Sequence, residues 1–170
     1  MKNNRKGQAA IEYLMTYGWA LLAIVIVIAA LIYLNPFSAP ELCLFQQQGF
    51  SCSEPNPQLY LDDNDEVKMN VRLWNKLGKT VEVHSILCTN AQASDVEEDD
   101  ATNMGGEKVA TGSSKDFTEI ACIDSDGDSI EMEPNQEFRG RMIVWYNYED
   151  DIDPNIHHEA QANVISLVVG

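Results

Sequence analysis

From Tyr13 to Leu34 the chain runs for 22 residues without a charge, and few structures accommodate that. A membrane-spanning helix needs roughly 20 apolar residues, whereas the apolar part of an ordinary secretory signal is only about 7 to 15 residues long. The stretch is apolar all round, with no polar face to offer solvent. It therefore predicts one long helix. Before it come three basic residues, Lys2, Arg5 and Lys6, and a lone acid, Glu12. After it, Asn35-Pro36 and Pro40 stop the helix, because proline lacks the backbone donor and pushes the residue before it out of the α region. The expected organisation is a leader over 1–7, a transmembrane and core-forming helix over 8–36, and a head domain over 37–170. Basic residues on one side and an acidic bulk on the other orient the head outward.

The head, about 130 residues, is the size of one domain. The formal charge is −16; without the three leader cations, the 11 Lys and Arg become 8 against 27 Asp and Glu, or −19. Such a surface has no basic face for phosphates, which excludes nucleic acid as a partner. Cys43, Cys52, Cys88 and Cys122 form an even set of cysteines on the outward side, where disulfides persist. Three pairings are open to them. The spacing favours Cys43 with Cys52, closing a short loop beyond the helix, and Cys88 with Cys122, bridging two strand-like segments. Zinc is poorly served, since no C-x2-C pair occurs and His84 lies on a strand pattern.

Strand signals dominate after Pro36. Between Glu66 and Trp74, Val67, Met69, Val71 and Leu73 alternate with Lys68, Asn70 and Arg72, the mark of a strand with one buried face. Residues 75–79 read as a turn and Thr80 to Cys88 as the returning strand, with a parity shift near Ser85-Ile86-Leu87 that a bulge or double burial would explain. Residues 91–106 are rich in Asp, Glu, Asn, Ser and Gly and read as a solvated loop. Further strands are expected at Lys115–Ile123, Glu137–Tyr148 and Ala160–Val169. The predicted fold class is α+β, a long N-terminal hydrophobic helix followed by an antiparallel immunoglobulin-like β-sandwich head.

Chemistry-bearing motifs are few. Asp124, Asp126 and Asp128 alternate as calcium ligands can, but an EF-hand loop would require Gly and Glu where Ser129 and Asn135 stand, and an Asp-Gly turn explains the run as well. His157-His158 beside Glu159 fits a turn leading into a strand better than a metal pair. No nucleophile elbow, phosphate-binding glycine loop or cysteine–histidine pair occurs. The chain does not read as an enzyme, and no cofactor is implied.

The segment Lys6-Gly7-Gln8-Ala9-Ala10-Ile11-Glu12-Tyr13-Leu14-Met15-Thr16-Tyr17-Gly18-Trp19-Ala20 resembles the class III signal peptide of archaeal type IV pilins. The resemblance covers about a fifth of the chain. It implies that a prepilin peptidase cuts between Gly7 and Gln8, making Glu12 the fifth residue of the mature chain. It also implies a precursor held in the cell membrane, head outside, then added to an extracellular adhesive filament by a membrane platform and a cytoplasmic ATPase. Within a dry helical bundle, the Glu12 carboxylate would be satisfied by the α-amino group of Gln8 on a neighbouring copy, selecting one axial stagger. Two other readings stand beside this one. One is a single-span, surface-anchored binding protein with a ligand site in the sandwich, and the other a minor, tip-located pilin or a pilin-like component of a surface sugar-binding assembly; polymerisation separates them.

Overall fold

Helix α1 runs from Asn4 to Leu34. The computed structural model describes residues 4–34, 41–52, 54–153 and 155–170, and within α1 the side chains of 4–14, 16 and 34 lie outside the described set. The chain divides into two compact units, Met1–Ala39 and Pro40–Gly170. Every large apolar side chain described on α1 is exposed, from 44% at Leu31 to 89% at Tyr33.

Among the described residues no helix is long and apolar enough to cross a membrane. This corrects the expected transmembrane helix, and with it the membrane-held precursor and the single-span anchor. The two disulfides described below accord with an extracellular setting.

The second unit is built from β1 (Leu42–Phe45), β2 (Phe50–Ser51), β3 (Gln58–Leu61), β4 (Val67–Asn75), β5 (Val81–Thr89), β6 (Thr102–Val109), β7 (Ser114–Ile123), β8 (Glu137–Tyr148) and β9 (His158–Val169). Six of these close into a ring, β9-β3-β4-β7-β5-β8 and back to β9. That closure overturns the immunoglobulin-like sandwich, whose two sheets would keep free edges. It is made by two short parallel seams, Leu59 and Tyr60 opposite Val168 and Val169, and Cys88 and Thr89 opposite Cys122 and Ile123. All other pairings are antiparallel. β1 adds to β9, β2 to β4 and β6 to β5, so closure removes the ring's own edges and leaves short strands outside it.

Alternation explains the barrel interior. Val67, Met69, Val71 and Leu73 of β4 are buried while the residues between them are half-buried. They meet Leu59, Ile120, Phe138, Met142 and Val164 in one core. β5 departs from strict alternation because it is covered twice. Beyond a register shift between Val83 and Ser85, it is buried from Ile86 to Thr89. Leu87 joins Ala91, Val96, Ile123, Ile143 and Trp145 in a second, smaller core. The acidic segment expected to be solvated thus lays Ala91 and Val96 over the outer face of β5 and β8. Its end is also strand, since β6 starts at Thr102.

Gly140 sits in β8 opposite Val164, where a Cβ would collide with the Thr89 carbonyl oxygen and the Phe138 ring. A backbone oxygen on a paired strand cannot swing aside. Gly140→Ala is expected to destabilise the head by about 1–3 kcal/mol through overpacking, read as a lower denaturation midpoint in urea with an unchanged slope. An unchanged midpoint would show that the seam relaxes freely.

Candidate functional site

The leader and assembly residues all fall on α1. Gly7, Gln8 and Glu12 lie within its helical backbone, and their side chains lie outside the described residues. What is described C-terminal to them is an apolar rod, on which Gly18, Ala20, Ala23, Ala29 and Ala30 are interspersed among exposed Leu, Ile and Val side chains. Small residues let a second helix approach closely. The rod can form a helix–helix interface.

The four cysteines are joined as Cys43–Cys52 and Cys88–Cys122, with Cα atoms 5.6 and 4.3 Å apart. Each bridge ties one half of the barrel to the other. Cys43 lies on β1, which pairs with β9, and Cys52 follows β2, which pairs with β4. Cys88 and Cys122 are themselves partners in the β5–β7 seam.

Asp124, Asp126 and Asp128 lie in a turn held by the Asp124 side chain. The Asp124 carboxylate accepts the backbone N–H groups of Asp126 and Asp128 at 2.9 and 3.1 Å, and Gly127 takes the left-handed φ of +82° that the turn requires. Among the described residues no group of three or more His, Cys, Asp or Glu side chains is placed to hold a metal ion. The turn is closed by the Asp128 carbonyl accepting the Asp124 N–H at 2.9 Å.

All three histidines gather around the start of β9. The His84 and His157 rings stack 4.2 Å apart and within 10° of parallel. His84 Nε2 pairs with Asn147 Oδ1 at 2.5 Å, and His157 Nδ1 with Glu98 Oε1 at 2.6 Å. Ser85 Oγ also donates to Glu98, at 3.2 Å. The group lines a surface cleft of about 710 Å³ and pins the short helical turn Glu98–Asp100 over β5. His158 is held separately, by Asp151 at 3.0 Å. The expectation of a turn at His157-His158 missed this stack, because His84 comes from a strand more than seventy residues earlier.

On the other side of the barrel, the outer face of β3, β4 and β7 carries two adjoining clefts of about 520 and 300 Å³. Both are lined by Pro55, Asn56, Gln58 and Asn70. Tyr60 lines the first, and Arg72 and Asp116 line the second. The Arg72 guanidinium donates twice to the Asp116 carboxylate, at 2.6 and 2.7 Å. These hydrogen bonds are the main reason that the Arg72 pKa is raised and the Asp116 pKa lowered. Burial, followed by the hydrogen bond it donates to Glu119, pushes the Tyr60 phenol up. Alternation already placed Asn70 and Arg72 outside. Asn56 and Gln58, in a segment without a strand pattern, carried no signal.

Compared with models of known protein families and with curated proteins, the chain matches none.

Proposed function

We propose that this protein is a structural subunit of a type IV pilus-like filament, polymerising through α1 and presenting the barrel for surface adhesion. The observation that supports this reading is the exposure of every described apolar side chain on α1. A contiguous apolar surface of that kind marks a site of association, and equivalent helices of other copies cover such a rod on all sides. The Lys6 to Ala20 segment adds the expected processing. A prepilin peptidase cuts after Gly7, and an assembly platform with a cytoplasmic ATPase adds each subunit to the filament base.

Electron microscopy of the chain beginning at Gln8, after detergent removal, tests the assembly. Filaments with a regular axial rise are expected, and a uniform population of monomers would overturn the proposal. Processing makes a separate prediction: material sheared from the cell surface begins at Gln8, as read by mass spectrometry of its N-terminal peptide. A chain starting at Met1 in that material would sink the leader assignment.

A further inference from the structure

We propose that the trough across β3, β4 and β7 binds neutral polysaccharide. This deepens the adhesive reading and rests on it only for biological setting, since binding is a property of the barrel. A solvent-facing sheet surface is ordinarily polar. Here it is also concave, and its polar groups include donors and acceptors left unused by the protein. Asn70 Oδ1 accepts the Glu119 N–H at 3.1 Å, and among the described residues both N–H bonds of its amide are unused. The Gln58 side chain makes no hydrogen bond among the described residues. Among the described residues Asn56 makes only a long contact of 3.5 Å, from Nδ2 to the Glu41 carbonyl, and its oxygen has no partner. A planar amide carries donors and an acceptor side by side, which matches adjacent hydroxyls on a pyranose ring. Tyr60 and Pro55 supply apolar surface for the C–H face of a sugar.

The trough is also held in shape. At β7 the register shifts opposite Met69 to Val71, and Glu119 adopts a left-handed φ of +62°, a conformation that a non-glycine residue holds only when its surroundings enforce it. Two lining residues enforce it, Asn70 by accepting its N–H and Tyr60 by donating to its carboxylate at 3.2 Å. Bulges recur beside binding sites because they re-aim side chains. This one fixes Asn70 and Tyr60 before a ligand arrives, reducing the ordering penalty of binding.

Charge selects the class of ligand. Among the described residues the one cation lining the trough is Arg72, already engaged at both ends of its fork by Asp116. With a formal charge of −16, the chain repels polyanions. Uncharged glycans remain.

The test uses the full chain, unassembled in detergent micelles, titrated by calorimetry with cellohexaose, maltohexaose, chitohexaose and, as the anionic comparison, an alginate oligomer. Saturable binding of at least one neutral hexasaccharide is expected. Asn70→Asp keeps an oxygen to accept the Glu119 N–H and replaces the amide donor by an anionic oxygen, so it should weaken binding at least tenfold in a head that still unfolds cooperatively. Gln58→Ala, at an exposed position, should weaken it as well. The proposal is overturned if no neutral sugar binds, if alginate alone binds, or if both variants bind as the parent does. Because the subunits are unassembled, a failure to form filaments would leave this result intact, and absence of binding would leave the filament reading intact.

Discussion

Replacing both cysteines of the β5–β7 seam, Cys88→Ala with Cys122→Ala, is expected to lower the Tm of the head by about 10–20 °C. The bridge joins residues 34 apart, and the loop-closure entropy it removes from the unfolded chain corresponds to about 4 kcal/mol. For a domain of this size each kcal/mol is worth about 3–5 °C. The topology adds a second reason. Only two residue pairs hold β5 to β7, parallel pairing is slightly weaker per residue than antiparallel, and closure of the ring depends on that contact. The other bridge, at a separation of 9, closes a shorter loop worth about 2.5–3 kcal/mol, and β1 lies outside the ring. Cys43→Ala with Cys52→Ala should therefore be the milder change. Thermal unfolding followed by circular dichroism decides the matter: an equal or smaller Tm loss from the Cys88 and Cys122 pair would show that the seam holds without its bridge.

The long strands were legible because they alternate, although the architecture they build was not. β4, β8 and β9 each place apolar residues at every second position over several residues, and the Asn75–Lys79 turn is fixed by a buried side chain. Asn75 donates to the Lys79 and Val109 carbonyls and accepts the Leu77 N–H. β1, β2 and β3 were not legible. They are four, two and four residues long, too short to show a period, and prolines and glutamines separate them. β6 was hidden by its composition, since Gly105 and Gly106 kink it at positive φ and most of its side chains are exposed or half-buried.

Ring closure was beyond any periodic pattern. It depends on which strand ends meet after the chain has folded, and two residue pairs at each seam leave no trace in composition. The parity shift at Ser85-Ile86-Leu87 was visible and read as a bulge or double burial, but the segment that covers it was not, because Ala91 and Val96 lie among acids. The trough shows the same division. β4 placed Asn70 and Arg72 on its outer face by alternation, whereas the bulge at Glu119 and the contribution of Asn56 and Gln58 required three separate segments to come together.

The largest expected effect on assembly comes from Glu12, the one acid at the head of the charge-free stretch of α1. In a bundle of apolar helices a carboxylate is tolerated only when paired, and leader removal after Gly7 would create a matching cation, the α-amino group of Gln8, on every copy. Losing one member of a buried pair costs about 3–5 kcal/mol, because the other is left charged and unsatisfied. Glu12→Ala should accordingly raise the subunit concentration needed for filament growth by roughly 10² to 10³-fold without altering the folding of the barrel, which is a separate compact unit. Sedimentation of filaments across a concentration series reads the shift, and electron microscopy reads the axial rise. Glu12→Gln separates charge from hydrogen bonding: assembly at the parent concentration would assign the role to polar satisfaction, whereas failure of both variants would assign it to the ion pair. Should Glu12→Ala form filaments at the parent concentration and with the parent rise, the acid has no part in setting the stagger, and the packing of Gly18, Ala20, Ala23, Ala29 and Ala30 against neighbouring helices must set it alone.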